Sequence, residues 1–581
     1  MLPKAKTVYF HVDVNSAFLS WTAIQHLANG ETLDLRTVPA VVGGDEEKRH
    51  GVVLAKSIPA KRYGIQTGES LFMARSKYPN LIVAAPDFDW YVKNSKAMIR
   101  IFGDYTPDIE QYSIDEAFLN MTGSEGLFGP PLQAAQTIKD RIHRELGFTV
   151  NIGIAPNRLL AKMASDFEKP DKIHVLTQDM VPQKDRVVLV EDGKITGIVD
   201  KEDKETYQDF QIIDLQGAYL MPGLVNLHVH LAGSGKPKKK PIDPVKSVKQ
   251  ITSSGLMRAV GHAMVANFAK TQLLSGTTTI RTVGGIADFD TRIRDEINAG
   301  KRIGPRILAS GMAISVPGGH MAGSLAYIAH SAEEARDYVD VIAKDKPDLI
   351  KLMITGGVMD AEVVGEPGVL RMPPEYVKAA CDRAHELGFQ VAAHVESPKG
   401  VAVALENGVD SIEHGAKPDA HIAALFKENG AFQVATLCPA LPYGLFDCQV
   451  SHATKEQKAN GKVVFDGIIE MAKENLAQGV PVGLGTDTAC PFVTQYDMWR
   501  ELDFYGKYCG VSNAFALYTG TLLNATLAGV GDVTGSIEVG KCADMIVTKG
   551  NPLEDLSVLR HVEMVVKDGV IYDHPQVKKI P

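Results

Sequence analysis

Short apolar runs alternate with amphipathic stretches of helical length from residue 219 to residue 487. The runs are Tyr219–His230, Thr277–Val283, Arg306–Gly311, Leu349–Gly356, Gln390–Val395, Ser411–Gly415, Ala431–Leu437 and Val482–Asp487. Bounded apolar runs of this length suit strands buried on both faces. Stretches such as Pro374–Leu387 and Gly461–Gln478 carry the helical period between them. This alternation predicts an α/β fold built on a (β/α)8 TIM barrel, whose active site would lie at the carboxyl ends of the strands.

The flanks read differently. Arg186–Val199 is two apolar runs around Asp192-Gly193, a hairpin signal. Gln211–Leu215 reads as a further strand, and Ala543–Thr548, Val562–Asp568 and Val570–Tyr572 give matching β character after the barrel. One small sheet assembled from both flanks accounts for these segments. Residues 1–180 read as a separate α+β part, with strands over Thr7–Val14 and Tyr112–Phe118, and the texture changes after Val181-Pro182. The expected domains are therefore 1–180, a small β-sheet domain from 181–220 with 538–581, and a barrel over 221–537.

Residues that bind metals fall at the ends of the apolar runs. His228 and His230, at i and i+2, point to one side of a strand, so one ion beyond its end can meet both. His394, His414 and Asp487 end later runs. With seventeen histidines in the chain, any one of these is readily a satisfied core or loop residue. Gathered at one barrel face, they make a metal centre the simpler account. Lys351 lies in Asp348-Leu-Ile-Lys-Leu-Met-Ile354, too apolar to bury an unpaired ammonium cheaply. It is either paired with a carboxylate or carboxylated by CO2 into an anion that bridges two cations. His320, in a Gly-rich loop after the third strand, is a candidate for substrate contact. In the first part, Asp13 ends a strand and Asp115-Glu116 lies in an apolar run. Three carboxylates suit the Mg2+ ions of a phosphoryl-transfer site, and surface acids are the plainer alternative.

Composition narrows the partners. A chain of 581 residues exceeds one ordinary domain. Its net charge of -9 argues against a general nucleic-acid or membrane-surface binder. No apolar segment reaches the roughly 18 residues that span a bilayer, and the start is not a signal-peptide core. The six cysteines include no Cys-x-x-Cys, which fits reduced thiols in a cytoplasmic protein. Lys236–Lys240 reads as a solvated loop. Association into an oligomer stays open.

Four segments of the first part occur in a telling order: His11-Val-Asp-Val-Asn-Ser-Ala-Phe18, Gly51–Gly64, Tyr112–Phe118 and Asn151–Pro170. Together they resemble the palm and fingers of Y-family translesion DNA polymerases, the DNA polymerase IV (UmuC-like) group. The resemblance implies Asp13, Asp115 and Glu116 as Mg2+ ligands and Val14 as a backbone-carbonyl ligand. It also implies Phe18 as the sugar-selecting steric gate and Lys162 on the triphosphate. Ile58 and Lys61 stand where many members carry a Tyr-x-x-Arg clamp, so bidentate arginine recognition is lost. The thumb and little-finger domains that grip duplex DNA do not follow.

The later motifs resemble the amidohydrolase superfamily, in its imidazolonepropionase-like and Xaa-Pro-dipeptidase-like branch. They are Met221-Pro-Gly-Leu224, Gly318-Gly-His320, Lys351 with Thr355-Gly-Gly357, His394, Glu413-His-Gly415, Gly485-Thr-Asp487 and the closing Gly535–Asp544. The resemblance implies two Zn2+ ions, one on His228, His230 and Asp487, the other on His394 and His414, bridged by carboxylated Lys351. Hydrolysis of an amide bond in a dipeptide or N-acyl amino acid by a zinc-bound hydroxide follows, with Asp487 as general acid–base. The competing readings are a translesion polymerase with an appended hydrolase-like domain, and an inactive fusion.

Overall fold

A computed structural model describes residues 7–44, 51–166, 170–176, 183–237 and 243–577. Val181-Pro182, residues 167–169 of the Asn151–Pro170 motif, and Lys238–Lys240 of the basic run lie outside them. The chain divides into two compact units, Met1–Pro182 and Gln183–Pro581.

Unit 1 is built on a five-stranded sheet in the order β5-β6-β1-β7-β8. The strands are β1 (Tyr9–Val14), β5 (Ile109–Gln111), β6 (Glu116–Asn120), β7 (Val150–Ala155) and β8 (Ile173–Val175). Central β1 pairs antiparallel with β6 and β7, which sets Asp13 opposite Glu116. Its apolar positions Phe10, Val12 and Val14 pack against Trp21, Tyr91, Phe102 and Ile138 from the covering helices. A second sheet, β3-β2-β4, comprises β2 (Ala40–Gly43), β3 (Val53–Lys56) and β4 (Ile82–Ala84). Tyr112–Phe118 is not one strand as expected. The amides of Tyr112 and Ser113 both donate to the Glu116 carbonyl, so a tight turn carries Asp115 and β6 starts only at Glu116.

In unit 2 the expected apolar runs all contain strands, but they form two parallel sheets and no single closed ladder. One is β12-β13-β14: β12 (Leu224–Val229), β13 (Thr277–Thr282) and β14 (Arg306–Leu308). The other runs β16-β15-β17-β18-β19-β20-β21. Its members are β15 (Ala313–Ser315), β16 (Ala326–Ile328), β17 (Leu349–Met353), β18 (Gln390–Val395), β19 (Ser411–His414), β20 (Phe432–Ala435) and β21 (Val482–Leu484). Between β14 and β17 the contact thins to Ala309 and Asp348, the Asp348 amide donating to the Ala309 carbonyl and the Ala309 amide to the Asp348 carboxylate, both at 2.7 Å, because β14 stops at Leu308. Between β21 and β12 the Asp487 amide donates to the His228 carbonyl at 2.9 Å. Gly485 permits that approach, since a Cβ there would lie 2.3 Å from the His228 Cβ.

The small-sheet expectation needs three corrections. Tyr219–His230 is two strands: β11 (Tyr219–Pro222) stays out of the parallel sheets and joins β22 (Met545–Thr548), β23 (Met564–Lys567) and β24 (Val570–Asp573). The hairpin of β9 (Arg186–Glu191) and β10 (Lys194–Asp200) forms its own two-stranded sheet, tied in through a bridge from Lys194 to Cys542. Gln211–Leu215 is not a strand; Ile212 is 65% and Ile213 42% exposed, so neither apolar side chain finds a face to cover. Among the described residues no helix is long and apolar enough to cross a membrane.

Candidate metal centre

The carboxyl ends of β12, β18, β19 and β21 bring the metal-binding residues together. His228 is buried in β12, and its Nδ1 lies 2.7 Å from Glu413 Oε2. His230 Nδ1 lies 3.0 Å from the Gly284 carbonyl. A carboxylate and a carbonyl only accept, so in the neutral form each ring carries its proton on Nδ1 and turns a lone pair from Nε2 towards Asp487. Each of those Nε2 atoms is 3.4 Å from the same oxygen, Asp487 Oδ1. Three acceptors converging in this way repel one another unless a cation sits between them. Ligands about 2.1 Å from a tetrahedral Zn2+ stand about 3.4 Å apart, which fits the spacing found.

Beside this group lies a second one, His394, Glu396 and His414; in both groups the ligand atoms lie within 4.8 Å of one another. The rings of His228 and His414 are 4.9 Å apart and those of His394 and His414 4.7 Å, so the two groups are neighbours. Burial, with positive neighbours, holds the His394 and His414 imidazoles well below their usual range, hence neutral and able to donate a lone pair. His414 and Asp487 both adopt left-handed backbone, at φ 67° and 54°. Such strain in non-glycine residues concentrates at functional sites.

Lys351, in the middle of β17, is fully enclosed and its Nζ has no hydrogen-bond partner. Burial pulls its ammonium down to about 8, with Glu413 and Asp487 opposing and Arg281 assisting. The expected alternative of a carboxylate hydrogen-bonded to it is therefore absent. Glu413 is instead taken by Arg281 at 2.6 Å, Ser411 at 2.8 Å and His228. Burial would raise Glu413, and Arg281 with His228 keeps it well below the carboxylate range. His320 stacks on His394 with ring centroids 4.1 Å apart and hydrogen-bonds Asp360.

Sequence reasoning missed Glu396, Glu413, Arg281 and Asp360. Arg281 is a cation inside the buried strand Thr277–Thr282, but four threonines there blunt the contrast that Lys351 shows against its apolar neighbours. Glu396 stands at i+2 from His394, the spacing of His230 from His228.

In unit 1, Asp13, Asp115, Glu116 and Lys162 collect at one end of β1. Lys162 is hydrogen-bonded to Glu116, and His11 Nε2 is 3.5 Å from the same carboxylate. Asp115 accepts from the Ser113 hydroxyl at 2.7 Å. Among the described residues the Asp13, Asp115 and Glu116 oxygens do not form a group as tight as those in unit 2. Val14, Phe18, Lys56 and Asp115 line an adjoining open cleft. Phe18 stacks on Tyr91 at 4.8 Å. Lys61 lies exposed on the short helix Ile58–Arg62 and does not line that cleft.

Comparison with known proteins divides the chain in the same two places. Residues 12–166 match the model of the impB/mucB/samB family, and residues 219–572 that of the amidohydrolase family. DNA polymerase IV of Clostridium acetobutylicum is 58% identical over 178 residues, 30% of this chain and 44% of that one. The enzyme of that name from Moorella thermoacetica is 43% identical over 173 residues, 42% of its length. The chain thus spans less than half of these curated relatives. Among solved structures, a Bifidobacterium longum prolidase candidate is 36% identical with a TM-score of 0.59, covering 68% of this chain and 91% of that one. A Xaa-Pro dipeptidase with methionine bound in its active site is 28% identical with a TM-score of 0.55, covering 66% and 94%.

Proposed function

Because this chain belongs to the amidohydrolase family by the match over residues 219–572, we propose that unit 2 hydrolyses a C–N bond with the help of metal ions. The observation that carries the reading is the convergence of two imidazole Nε2 atoms on one carboxylate oxygen, Asp487 Oδ1. The substrate we infer is a dipeptide or N-acyl amino acid, the class suggested by the prolidase-like neighbours. The two parallel sheets are read as one (β/α)8 barrel (221–537) open at two seams, flanked by the small sheet of 181–220 and 538–581. The unpaired state of all six cysteines suits a cytoplasmic setting.

His228, His230 and Asp487 would hold one Zn2+ and His394 and His414 the other, with Lys351, carboxylated, between them. Such ions, when bound, supply Lewis acidity and lower the pKa of water. The chain's own residues do the rest. Asp487 Oδ1 faces both imidazole Nε2 atoms across the position the ion would take, which leaves Oδ2, 3.5 Å from the Cys490 thiol, to take a proton and return it to the leaving nitrogen. His320, fixed by Asp360 and by its stack on His394, is placed to touch the substrate. Glu413 fixes the His228 tautomer.

The test is metal content together with hydrolysis of a library of dipeptides and N-acyl amino acids. Two zinc equivalents, falling to about one in a double His394→Ala, His414→Ala variant, are expected. Metal content unchanged in that variant, or no hydrolysis across the library by protein that holds both ions, overturns the reading.

A second reading concerns unit 1, favoured by its 58% identity to a DNA polymerase IV. Asp13, Asp115 and Glu116 would bind Mg2+ with the Val14 carbonyl, Phe18 would gate the sugar, and Lys61 and Lys162 would meet the triphosphate. DNA would be its partner, although duplex affinity rests largely on phosphate contacts from domains that do not follow here. Primer extension is therefore expected to be negligible; robust Mg2+-dependent extension, lost in Asp115→Ala, would reverse that expectation.

A further inference from the structure

Glu396 lies outside the ligand set implied by the family resemblance, yet it stands among those ligands. It is the residue after β18, two positions beyond His394. A carboxylate oxygen of Glu396, a ring nitrogen of His394 and a ring nitrogen of His414 all lie within 4.8 Å of one another. Glu396 Oε2 is shielded from solvent and has no hydrogen-bond partner. A desolvated carboxylate oxygen without a hydrogen-bond partner stays charged cheaply only where a cation meets it.

We propose that Glu396 is a direct ligand of the ion that His394 and His414 hold. The second position then has the same His–His–carboxylate donor set as His228, His230 and Asp487. Two neutral imidazoles and one carboxylate are a familiar Zn2+ donor set that leaves a coordination position open. Ligand atoms about 3.4 Å apart would be needed, so Glu396 would have to draw in from the spacing found. The inference rests on the amidohydrolase reading of this site and goes beyond it in one respect. The second ion acquires a permanent anionic ligand, so its retention does not wait on carboxylation of Lys351.

The experiment is a Co2+ titration of metal-depleted full-length protein in bicarbonate-free buffer, followed by visible absorption and by metal content after dialysis. Wild type, Glu396→Gln and Glu396→Asp are compared, with circular dichroism to confirm that each is folded. Wild type should bind two equivalents. Glu396→Gln should bind the first as wild type does and the second at least tenfold more weakly, and Glu396→Asp should fall between. If Glu396→Gln binds both equivalents with wild-type affinity, the proposal is overturned. It is equally overturned if that variant keeps both ions and loses only substrates with a free ammonium, which would make Glu396 a receptor for substrate charge. Wild type that binds no Co2+ would overturn the hydrolase reading as well, so the two failures are distinguishable.

Discussion

Each unit presents charged side chains at the end of a buried strand, but the two hold them in opposite ways. In unit 2 the outer ring nitrogen of each first-group histidine is tied down, His228 by Glu413 and His230 by the Gly284 carbonyl. The inner nitrogens are left facing Asp487 and one another. In unit 1 the protein's own groups answer the carboxylates: Lys162 takes Glu116 and Ser113 takes Asp115. The first arrangement is internally repulsive and is relieved by a bound cation. The second is nearly self-satisfied, and Lys162 must let go of Glu116 before that carboxylate can serve a metal. Preorganisation of this kind belongs to sites whose ligands come from rigid strand ends.

The harshest way to break the comparison is to remove the enclosed amine that the centre surrounds. Lys351→Ala should abolish amide hydrolysis, and added short-chain carboxylates should restore part of it by filling the vacated space. A metal-loaded structure with an unmodified Lys351 paired to a protein carboxylate would defeat the carboxylation idea. Next comes Asp487→Asn, which keeps the shape but removes the proton acceptor. Steady-state kinetics should show a loss of at least roughly 10²-fold, the size expected of a general acid–base. A loss below tenfold would move that role elsewhere.

The sequence displayed one side of this contrast better than the other. The expected runs marked eight of the ten strands in the two parallel sheets, because strands covered on both faces tend to read as apolar runs, and missed the short β15 and β16. Periodicity reports burial and is silent on which strand lies beside which. The splitting of the barrel ladder after Leu308 and the departure of β11 into the small sheet were therefore invisible. The apolar residues of Gln211–Leu215 suggested a strand, but no partner covers Ile212 and Ile213. Histidines at strand ends stand out against apolar runs. Glu396, just beyond its strand, and Glu413, within its own, look like ordinary acids until the fold shows what surrounds them.

A milder break targets the support behind His228. Arg281 is buried against Glu413, and Arg281→Met would leave that carboxylate enclosed without its main partner. Loss of one member of a buried pair costs about 3–5 kcal/mol, to be read as a lower urea midpoint for unit 2. The sign of the pH dependence follows from Glu413, whose folded pKa is held below its unfolded value. A carboxyl depressed in this way contributes stability that is complete above the unfolded pKa and is lost as pH falls through the folded one. The gap between wild type and variant should be flat through neutral pH and narrow only in acid. A gap that widened in acid would show that Arg281 acts through some other group.

The smallest expected effect is also the sharpest test of separability. Asp115→Ala should leave amide hydrolysis within about twofold of wild type, the scatter expected of a site with no part in the roughly 10²-fold general acid–base contribution. Every residue assigned to the hydrolytic centre lies between His228 and Asp487, inside the unit Gln183–Pro581. Barrel active sites are assembled from their own strand ends and loops, and every proposed ligand comes from unit 2. Asp115 is bonded to Ser113 within its own turn, and replacing it alters only that turn and any Mg2+ site there. A chain beginning near Lys184 should, by the same reasoning, keep hydrolytic activity in whatever fraction remains soluble. The measurement is hydrolysis by Asp115→Ala alongside its zinc content and circular dichroism. Silenced hydrolysis with fold and zinc intact would mean that the two units share one chemistry, and the contrast between them would have to be abandoned.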